Sequence, residues 1–216
     1  DGGKSWKNMG LKDSRQIGEI LVDPVNSNIV YVAAEGSAWG PGEERGVFKT
    51  IDGGENWEKV LFVSENTGIA NLSFEPGNPN VIYAGAEQRR RHQYAKIGGG
   101  PESAFYKTTD AGANWSKLEN GIPGVDKGGM EIVVSPANPD YVYVMFEASN
   151  KKGGVFRSTN KGASFKKMDS YSSSGQYYSE LICDPHNKDK VYSMDTWSKY
   201  TTDGGKTWKN VGNNSR

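Results

Sequence analysis

Cysteine is nearly absent from this chain. One thiol, Cys183, in 216 residues excludes an internal disulfide framework and a zinc site built on cysteines. Histidine is scarce too: His92 and His186 are the only two. Neither sign of charge is in excess, since 26 Lys and Arg balance 26 Asp and Glu. That balance argues against a nucleic-acid partner, which calls for a basic surplus. Apolar residues make up only 35% of the chain, and the mean hydropathy is −0.71. No apolar run approaches the roughly 20 residues of a membrane-spanning helix, so membrane insertion is excluded. No signal peptide is visible, because the chain opens inside a turn, Asp1-Gly2-Gly3-Lys4. Disorder is not expected either, with 6 Trp, 11 Tyr and 7 Phe at zero net charge.

What is present in quantity is glycine, 28 residues with no collagen period. Most of them punctuate a repeat. Thr50-Ile51-Asp52-Gly53-Gly54-Glu55-Asn56-Trp57 returns as Thr108-Thr109-Asp110-Ala111-Gly112-Ala113-Asn114-Trp115. It returns again as Ser158-Thr159-Asn160-Lys161-Gly162-Ala163-Ser164-Phe165 and as Thr201-Thr202-Asp203-Gly204-Gly205-Lys206-Thr207-Trp208. The chain starts inside a fifth copy that ends at Trp6. Successive aromatics of the motif lie 43 to 58 residues apart. A second motif keeps the same step: Asp23-Pro24-Val25-Asn26 with Tyr31, Glu75-Pro76-Gly77-Asn78 with Tyr83, Ser135-Pro136-Ala137-Asn138 with Tyr143, and Asp184-Pro185-His186-Asn187 with Tyr192. Two interleaved motifs at one period of this size indicate stacked repeats.

The segments between the motifs are short, rich in Val, Ile, Tyr and Phe, and bounded by Gly, Pro and Asn. None carries helical periodicity with caps. Each period holds four strands, which is the content of a propeller blade. The expected fold is therefore all-β: a β-propeller of four complete four-stranded antiparallel blades, at about 17–62, 68–119, 128–169 and 176–212. Residues 1–8 are expected to form one extra strand, left from a preceding blade of a larger propeller. The turn chemistry is structural. Asp52, Asp110, Asn160 and Asp203 accept N–H groups of their own turns. Gly54, Gly112, Gly162 and Gly205 supply a left-handed position. Trp57, Trp115, Phe165 and Trp208 cover the turn, and an indole N–H can find a carbonyl. One carboxylate per turn falls far short of the six to eight oxygens calcium takes, so no metal or other cofactor is expected.

These residues match the bacterial neuraminidase repeat, or Asp-box, Ser/Thr-x-Asp-x-Gly-x-x-Trp. With the co-occurring Asp-Pro-x-Asn…Val-Tyr motif, the chain resembles sortilin-like bacterial proteins labelled "glycosyl hydrolase, BNR repeat". The segments Trp39 to Phe48 and Gln88 to His92 resemble that group as well. The resemblance implies a propeller and an exported location (periplasmic, cell-surface or secreted). It implies function weakly, because such repeats serve both enzymes and binding proteins.

The loop between the second and third strands is long in the first two blades, about Glu35 to Arg45 and Glu87 to Ser103. Both are expected on the usual ligand face, and long loops are often functional. Ligand-binding candidates there are Trp39, Glu43, Glu44, Arg45, Arg89, Arg90, Arg91, His92 and Tyr94, with Arg15 from a neighbouring loop. Three arginines and a histidine can clamp an anion. The alternative is that they pair with Glu43, Glu44 and Glu87 and only hold the loops together. A second constellation lies on the first strand of each blade. Glu19, Asn71, Glu131 and Glu180 share one register and alternate with apolar Ile20, Leu72, Ile132 and Leu181. They are expected to ring a central channel, to attract a cation or a basic peptide, or to pair with nearby Lys, Arg or water.

No catalytic set is assignable. A sialidase arginine triad is absent beside Tyr177 and Tyr178, and a glycosidase acid/base pair rests only on the adjacent Glu43 and Glu44. His186 lies in a turn on the opposite face from His92, which disfavours a Ser-His-Asp arrangement. Asn71, Asn114 and Asn213 match the Asn-x-Ser pattern by chance. The expectation is a non-catalytic binding or scaffold propeller for a peptide, protein or glycan. The alternative is a glycoside hydrolase, sialidase- or xyloglucanase-like, with carboxylates partly outside this chain. Further blades or a second copy of the chain are the other expected partners.

Overall fold

The computed structural model describes residues 1–173 and 178–212. Among these residues, seventeen strands form four antiparallel sheets, each a meander in chain order save for one short strand paired off the path of the second. The first blade is β1 (Ile17–Val22), β2 (Val30–Ala34), β3 (Gly46–Thr50) and β4 (Glu58–Leu61). The second is β5 (Thr67–Glu75), β6 (Asn78–Arg91), β8 (Ala104–Thr108) and β9 (Ser116–Lys117), with β7 (Lys96–Gly98) paired to the far end of β6. The third is β10 (Lys127–Val134), β11 (Val142–Ala148), β12 (Gly154–Ser158) and β13 (Lys166–Asp169). The fourth is β14 (Glu180–Cys183), β15 (Val191–Met194), β16 (Lys199–Thr201) and β17 (Lys209–Asn210).

Alternation along each strand sends apolar residues to both faces, so each blade can pack on two neighbours. Three clusters fill the three gaps. Tyr31, Val47, Ile69, Leu72 and Ile82 lie between the first and second blades. Tyr83, Phe105, Ile132, Val144 and Phe146 lie between the second and third. Tyr143, Met145, Val155, Leu181 and Val191 lie between the third and fourth.

The recurring turns behave alike. Thr50 Oγ1 accepts from Gly54 N (2.9 Å) and donates to Asp52 (2.7 Å), and Asp52 accepts from Asn56 N (2.9 Å). Residues 108–114, 158–164 and 201–207 repeat these bonds, with Asn160 standing in for aspartate in the third copy. These bonds to the ionised form hold Asp52 and Asp110 down to about 2, the Asn56 and Asn114 donors leading. The backbone at Ala111 and Gly112 is left-handed at two successive residues, φ 56° and 93°. That geometry strains Ala111 and explains the glycine beside it. Not every motif tryptophan finds a carbonyl: Trp57 Nε1 donates to Met9 O, whereas the buried indole N–H groups of Trp115 and Trp208 have no partner among the described residues.

The tyrosine of the second motif ties each blade to the next. Tyr31 Oη donates to Ala111 O (3.0 Å), Tyr83 Oη to Lys161 O (3.0 Å) and Tyr143 Oη to Lys188 O (2.6 Å). All three rings are essentially fully buried. Lys49 Nζ and Lys107 Nζ reinforce the first two carbonyls at 2.9 and 2.8 Å.

Two features depart from expectation. Residues 1–8 contain no strand and are exposed throughout, because no third strand lies beside them to pair with. The segment 87–103 is not a slack loop: β6 runs on to Arg91 and folds back on β7, Arg89 opposite Gly98 and Arg91 opposite Lys96.

Replacing Tyr83 by Phe removes one buried hydrogen bond and leaves the Lys107 ammonium on the same carbonyl. The expected loss is about 1 kcal/mol, a fall of about 2–4 °C in Tm for a chain of this size. An unchanged melting curve would show that the tyrosine hydroxyl does not stabilise the blade contact.

Candidate functional site

The long loops of the first two blades meet. Arg91 N donates to Ala38 O (2.7 Å) and Gly42 N to Glu65 O (2.9 Å), so the β6–β7 hairpin and the β2–β3 loop are stitched to each other and to the inter-blade link. Arg45 closes the β2–β3 loop from within. Its buried guanidinium donates to the carbonyls of Glu35, Ser37 and Gly40, the last at 2.7 Å. A planar fork of donors suits three converging carbonyls.

The arginines of 89–91 do not converge into a clamp. Successive strand residues point to opposite faces, and the three side chains meet different surroundings. Arg89 forms an ion pair with Glu35, Arg90 Nη2 donates to Asn66 Oδ1 (2.8 Å), and Arg91 is exposed. Glu35 is therefore the acid that holds Arg89, in place of Glu43, Glu44 or Glu87. Glu43 and Glu44 diverge. Glu44 Oε1 accepts from Ser37 N (3.1 Å), while Glu43 is exposed and receives Lys59 Nζ on its main-chain carbonyl. Burial opposes ionisation of Glu44, but N–H groups of residues 44 and 37, with Arg45 and Arg15 nearby, hold it below the usual carboxylate range. Arg15 is exposed, with φ 62°.

Two large aromatics are among the side chains this face presents to solvent. Trp39 is 65% and Tyr94 89% exposed, and Tyr94 stacks on His92 with ring centroids 5.6 Å apart and planes 13° from parallel. The two blades also bring together a pair of acids that reading the sequence did not single out as a site. Glu35 and Glu87 line one small cavity with Arg45 and Arg89. Glu87 is buried, and burial raises its pKa; the Gly129 and Met130 N–H groups and Arg89 oppose the rise, and Glu35 adds to it. The only sequence signal was position: Glu35 follows the apolar strand β2 directly, and Glu87 follows the apolar stretch of β6 that ends at Ala86.

Glu19, Asn71, Glu131 and Glu180 do come together. They line one open cavity of about 490 Å³ with Asp195 among its other walls. A β-bulge precedes Glu19, Asn71 and Glu131 on its strand, and a bulge re-aims the side chains beyond it. Asn71 Nδ2 donates to Glu131 Oε1 (2.9 Å), and Asn71 Oδ1 accepts from Ile132 N (2.9 Å). Glu131 is buried. Burial pushes it well above the usual carboxylate range, Glu19 and Glu180 push further, and the Leu181 N–H opposes. Burial, then Glu180, raises Glu19 as well. Among the described residues no group of three or more His, Cys, Asp or Glu is placed to hold a metal ion. Tyr177 and Asn213 lie outside the described residues; Asn71 is buried within β5 and Asn114 sits in its exposed turn.

The family described as sortilin/Vps10 (sortilin, neurotensin receptor 3) matches residues 1–152 and 103–216. The chain belongs to the sortilin/Vps10 family. The xyloglucanase Xgh74A of Acetivibrio thermocellus is 26% identical over 98% of the chain and 28% of its own length. The xyloglucanase of Hypocrea jecorina is 25% identical over 94% of the chain and 24% of its own length. The chain thus spans about a quarter of these relatives. Among solved structures, the GH74 xyloglucanase of Xanthomonas campestris superposes with TM-score 0.67 at 14% identity, over 88% of this chain and 28% of that one. YCF48 of Cyanidioschyzon merolae superposes with TM-score 0.60 at 17% identity, over 98% and 61%. These likenesses show a β-propeller fold. No helix among the described residues is long and apolar enough to cross a membrane.

Glu131 yields a pH test. Its folded-state pKa lies above the ordinary value, so ionising it opposes folding. The cost is absent at pH 4 and grows as pH rises through the raised pKa. Glu131→Gln, which cannot ionise, is expected to gain on the native protein between pH 4 and pH 8, by about 2 °C in Tm or more at pH 8. A Tm difference that does not change with pH would contradict this.

Proposed function

We propose that this sortilin-type propeller is a non-catalytic binding or scaffold module that takes a peptide or glycan on the face of the β2–β3 loop and the β6–β7 hairpin. The observation that carries this reading is the exposed Trp39 and His92–Tyr94 stack, held on a hairpin hydrogen-bonded to its neighbouring loop. Rigid exposed aromatics offer a large contact area with little ordering cost, which suits sugar rings and peptide side chains alike. Arg91 and His92 beside them favour an anionic or hydrogen-bonding ligand. Arg45, Arg89 and Arg90 serve as the frame. The sortilin-type resemblance supports an exported location, which fractionation of the native host would check.

The test is titration of the chain with xyloglucan oligosaccharides and with a panel of acidic and basic peptides. Trp39→Ala and Tyr94→Ala are expected to weaken the bound ligand about tenfold or more, close to 1.4 kcal/mol. Both residues are exposed, so Tm should stay as in the native chain. Unchanged affinity in both variants would reject the reading.

A second reading, a glycoside hydrolase, has one observation in its favour. Glu35, paired to Arg89, and Glu87, buried with a raised pKa, are two carboxylates in unlike environments near the ligand face. Unlike environments are how acid and base roles are divided. Glu43 and Glu44 diverge and suit it less. On this reading other carboxylates lie outside the chain, which spans only a quarter of the xyloglucanases it resembles. Hydrolysis of a xyloglucan reporter that falls at least a hundredfold in Glu87→Gln would favour it. Turnover insensitive to both Glu87→Gln and Glu35→Gln would eliminate it.

A further inference from the structure

The fourth strand of the second blade stops early. In the first and third blades the fourth strand runs on to Leu61 and Asp169, opposite Val47 and Val155. The glycine ahead of each partner makes room for it. Gly46 and Gly154 have φ of 125° and 131°, and a methyl there would lie 2.1 Å from Leu61 O and 2.2 Å from Asp169 O. The residue at that place in the second blade is Ala104, which pairs with Ala86 in ordinary strand. An alanine is strained in the backbone those glycines adopt, and its methyl would strike the fourth strand. β9 is accordingly paired only at Ser116 and Lys117. Glu119, the counterpart of Leu61 and Asp169, offers its carbonyl to Ile122 N (3.0 Å) instead. The chain leaves the blade there and returns at Lys127, whose carbonyl accepts from Gly100 N (3.0 Å).

The departure opens a cleft of about 390 Å³ between the blade edge and the link, within the range of about 300–1,000 Å³ typical of small-ligand sites. Its outer wall is fastened at both ends. Asn120 O accepts from Phe165 N (2.9 Å) and Asn120 Nδ2 donates to Ala163 O (3.1 Å), which ties the link to the turn of the third blade. Lys127 Nζ reaches back to the carbonyls of Pro123 (3.1 Å) and Val125 (2.8 Å). Leu118, Ile122, Pro123 and Val125 give the cleft a half-buried apolar lining. Four charged side chains share it: Lys117 and Lys127, Glu119 and Asp126. Among the described residues none of the four forms an ion pair, unlike Arg89 with Glu35. They lie close enough to sense one another. Burial lowers the pKa of Lys127, Lys117 lowers it further, and Asp126 and Glu119 oppose the fall. An ammonium carries three donors, and Lys127 spends two on the link.

We propose that this cleft binds an apolar zwitterion, the class to which free apolar amino acids and short apolar peptides belong. Two cations and two anions that do not pair, set around an apolar lining, complement a ligand with one charge of each sign and an apolar body. The ligand carboxylate lies on Lys117 and the remaining Lys127 N–H. Its ammonium lies on Glu119 and Asp126, and its side chain on Leu118 and Ile122. The cleft shares no residue with the cavity of Glu35 and Glu87 or with that of Glu19 and Glu131. It also excludes Trp39, His92 and Tyr94, so it is a second site, separate from the one proposed for the long loops.

The probes are leucine, the dipeptide Leu-Leu, and Leu-Leu acetylated at its amino end or amidated at its carboxyl end. Each is titrated into the full chain and followed by backbone amide chemical shifts. Leucine or Leu-Leu is expected to give saturable shifts centred on residues 117–127. Tighter binding of leucine supports free amino acids as the source, and tighter binding of Leu-Leu supports peptides. Either cap is expected to weaken Leu-Leu about tenfold or more, and so are Lys117→Ala and Glu119→Ala. Both residues are exposed, so Tm should stay within about 1 °C of native. Trp39→Ala is expected to leave these shifts unchanged. No saturation by leucine or Leu-Leu up to about 10 mM would overturn the proposal. So would binding that both substitutions leave intact, or binding that Trp39→Ala abolishes. Binding that survives acetylation but not amidation would overturn it as well, by making the ligand a simple carboxylate.

Discussion

Tyr31, Tyr83 and Tyr143 sit fully buried, and each delivers its one polar atom to a backbone carbonyl of the following blade. For the first two, that carbonyl is aimed by a turn whose backbone is left-handed at two successive residues, Ala111–Gly112 and Lys161–Gly162. The turn holds that shape because a threonine or serine hydroxyl and an aspartate or asparagine side chain satisfy its N–H groups. Hydrogen bonding inside one turn thus sets the angle at which the next blade meets its neighbour. The apolar clusters between blades supply the bulk of the burial, and the tyrosine and turn supply the register.

The same economy of polar groups governs the ligand face. A buried guanidinium or carboxylate without partners is costly, so the charged residues of the long loops find partners close by. Arg45 turns inward onto three carbonyls, Arg89 onto Glu35, and Arg90 onto Asn66. With Arg45, Arg89 and Arg90 committed to the frame, the side chains left facing solvent on the hairpin and its partner loop include Trp39, Glu43, Arg91, His92, Gln93 and Tyr94. At the inner strands the logic is the reverse. Glu131 is buried near two other acids and is held by Asn71 and a Leu181 N–H, so the cavity there carries its charge at the expense of stability as pH rises.

The fold was legible because its signals are local and repeated. Strand alternation, the Asp-Pro and Thr-x-Asp-x-Gly turns and the spacing of their aromatics recur four times, and a pattern seen four times constrains itself. The inner register of Glu19, Asn71, Glu131 and Glu180 was legible for the same reason. Residues 87–103 were harder: a run of Arg, Gln and Lys ending in three glycines has the composition of a loop. It becomes strand because pairing β6 with β7 extends an existing edge. Residues 1–8 carry a fourth-strand motif but make no ladder, since strand propensity without a partner strand yields none.

The sequence by itself determined the all-β architecture, the blade count and the turns, since each rests on contacts within a few residues or between adjacent strands. Only the tertiary structure decided which acid meets which arginine. Glu35 and Arg89 are 54 residues apart along the chain, and no local pattern distinguishes Glu35 from Glu43, Glu44 or Glu87 as the partner. The same holds for the burial of Glu87 and Glu131, which depends on strands brought from neighbouring blades. Ionisation and pairing follow solvent exclusion, and solvent exclusion is a property of the packed blades.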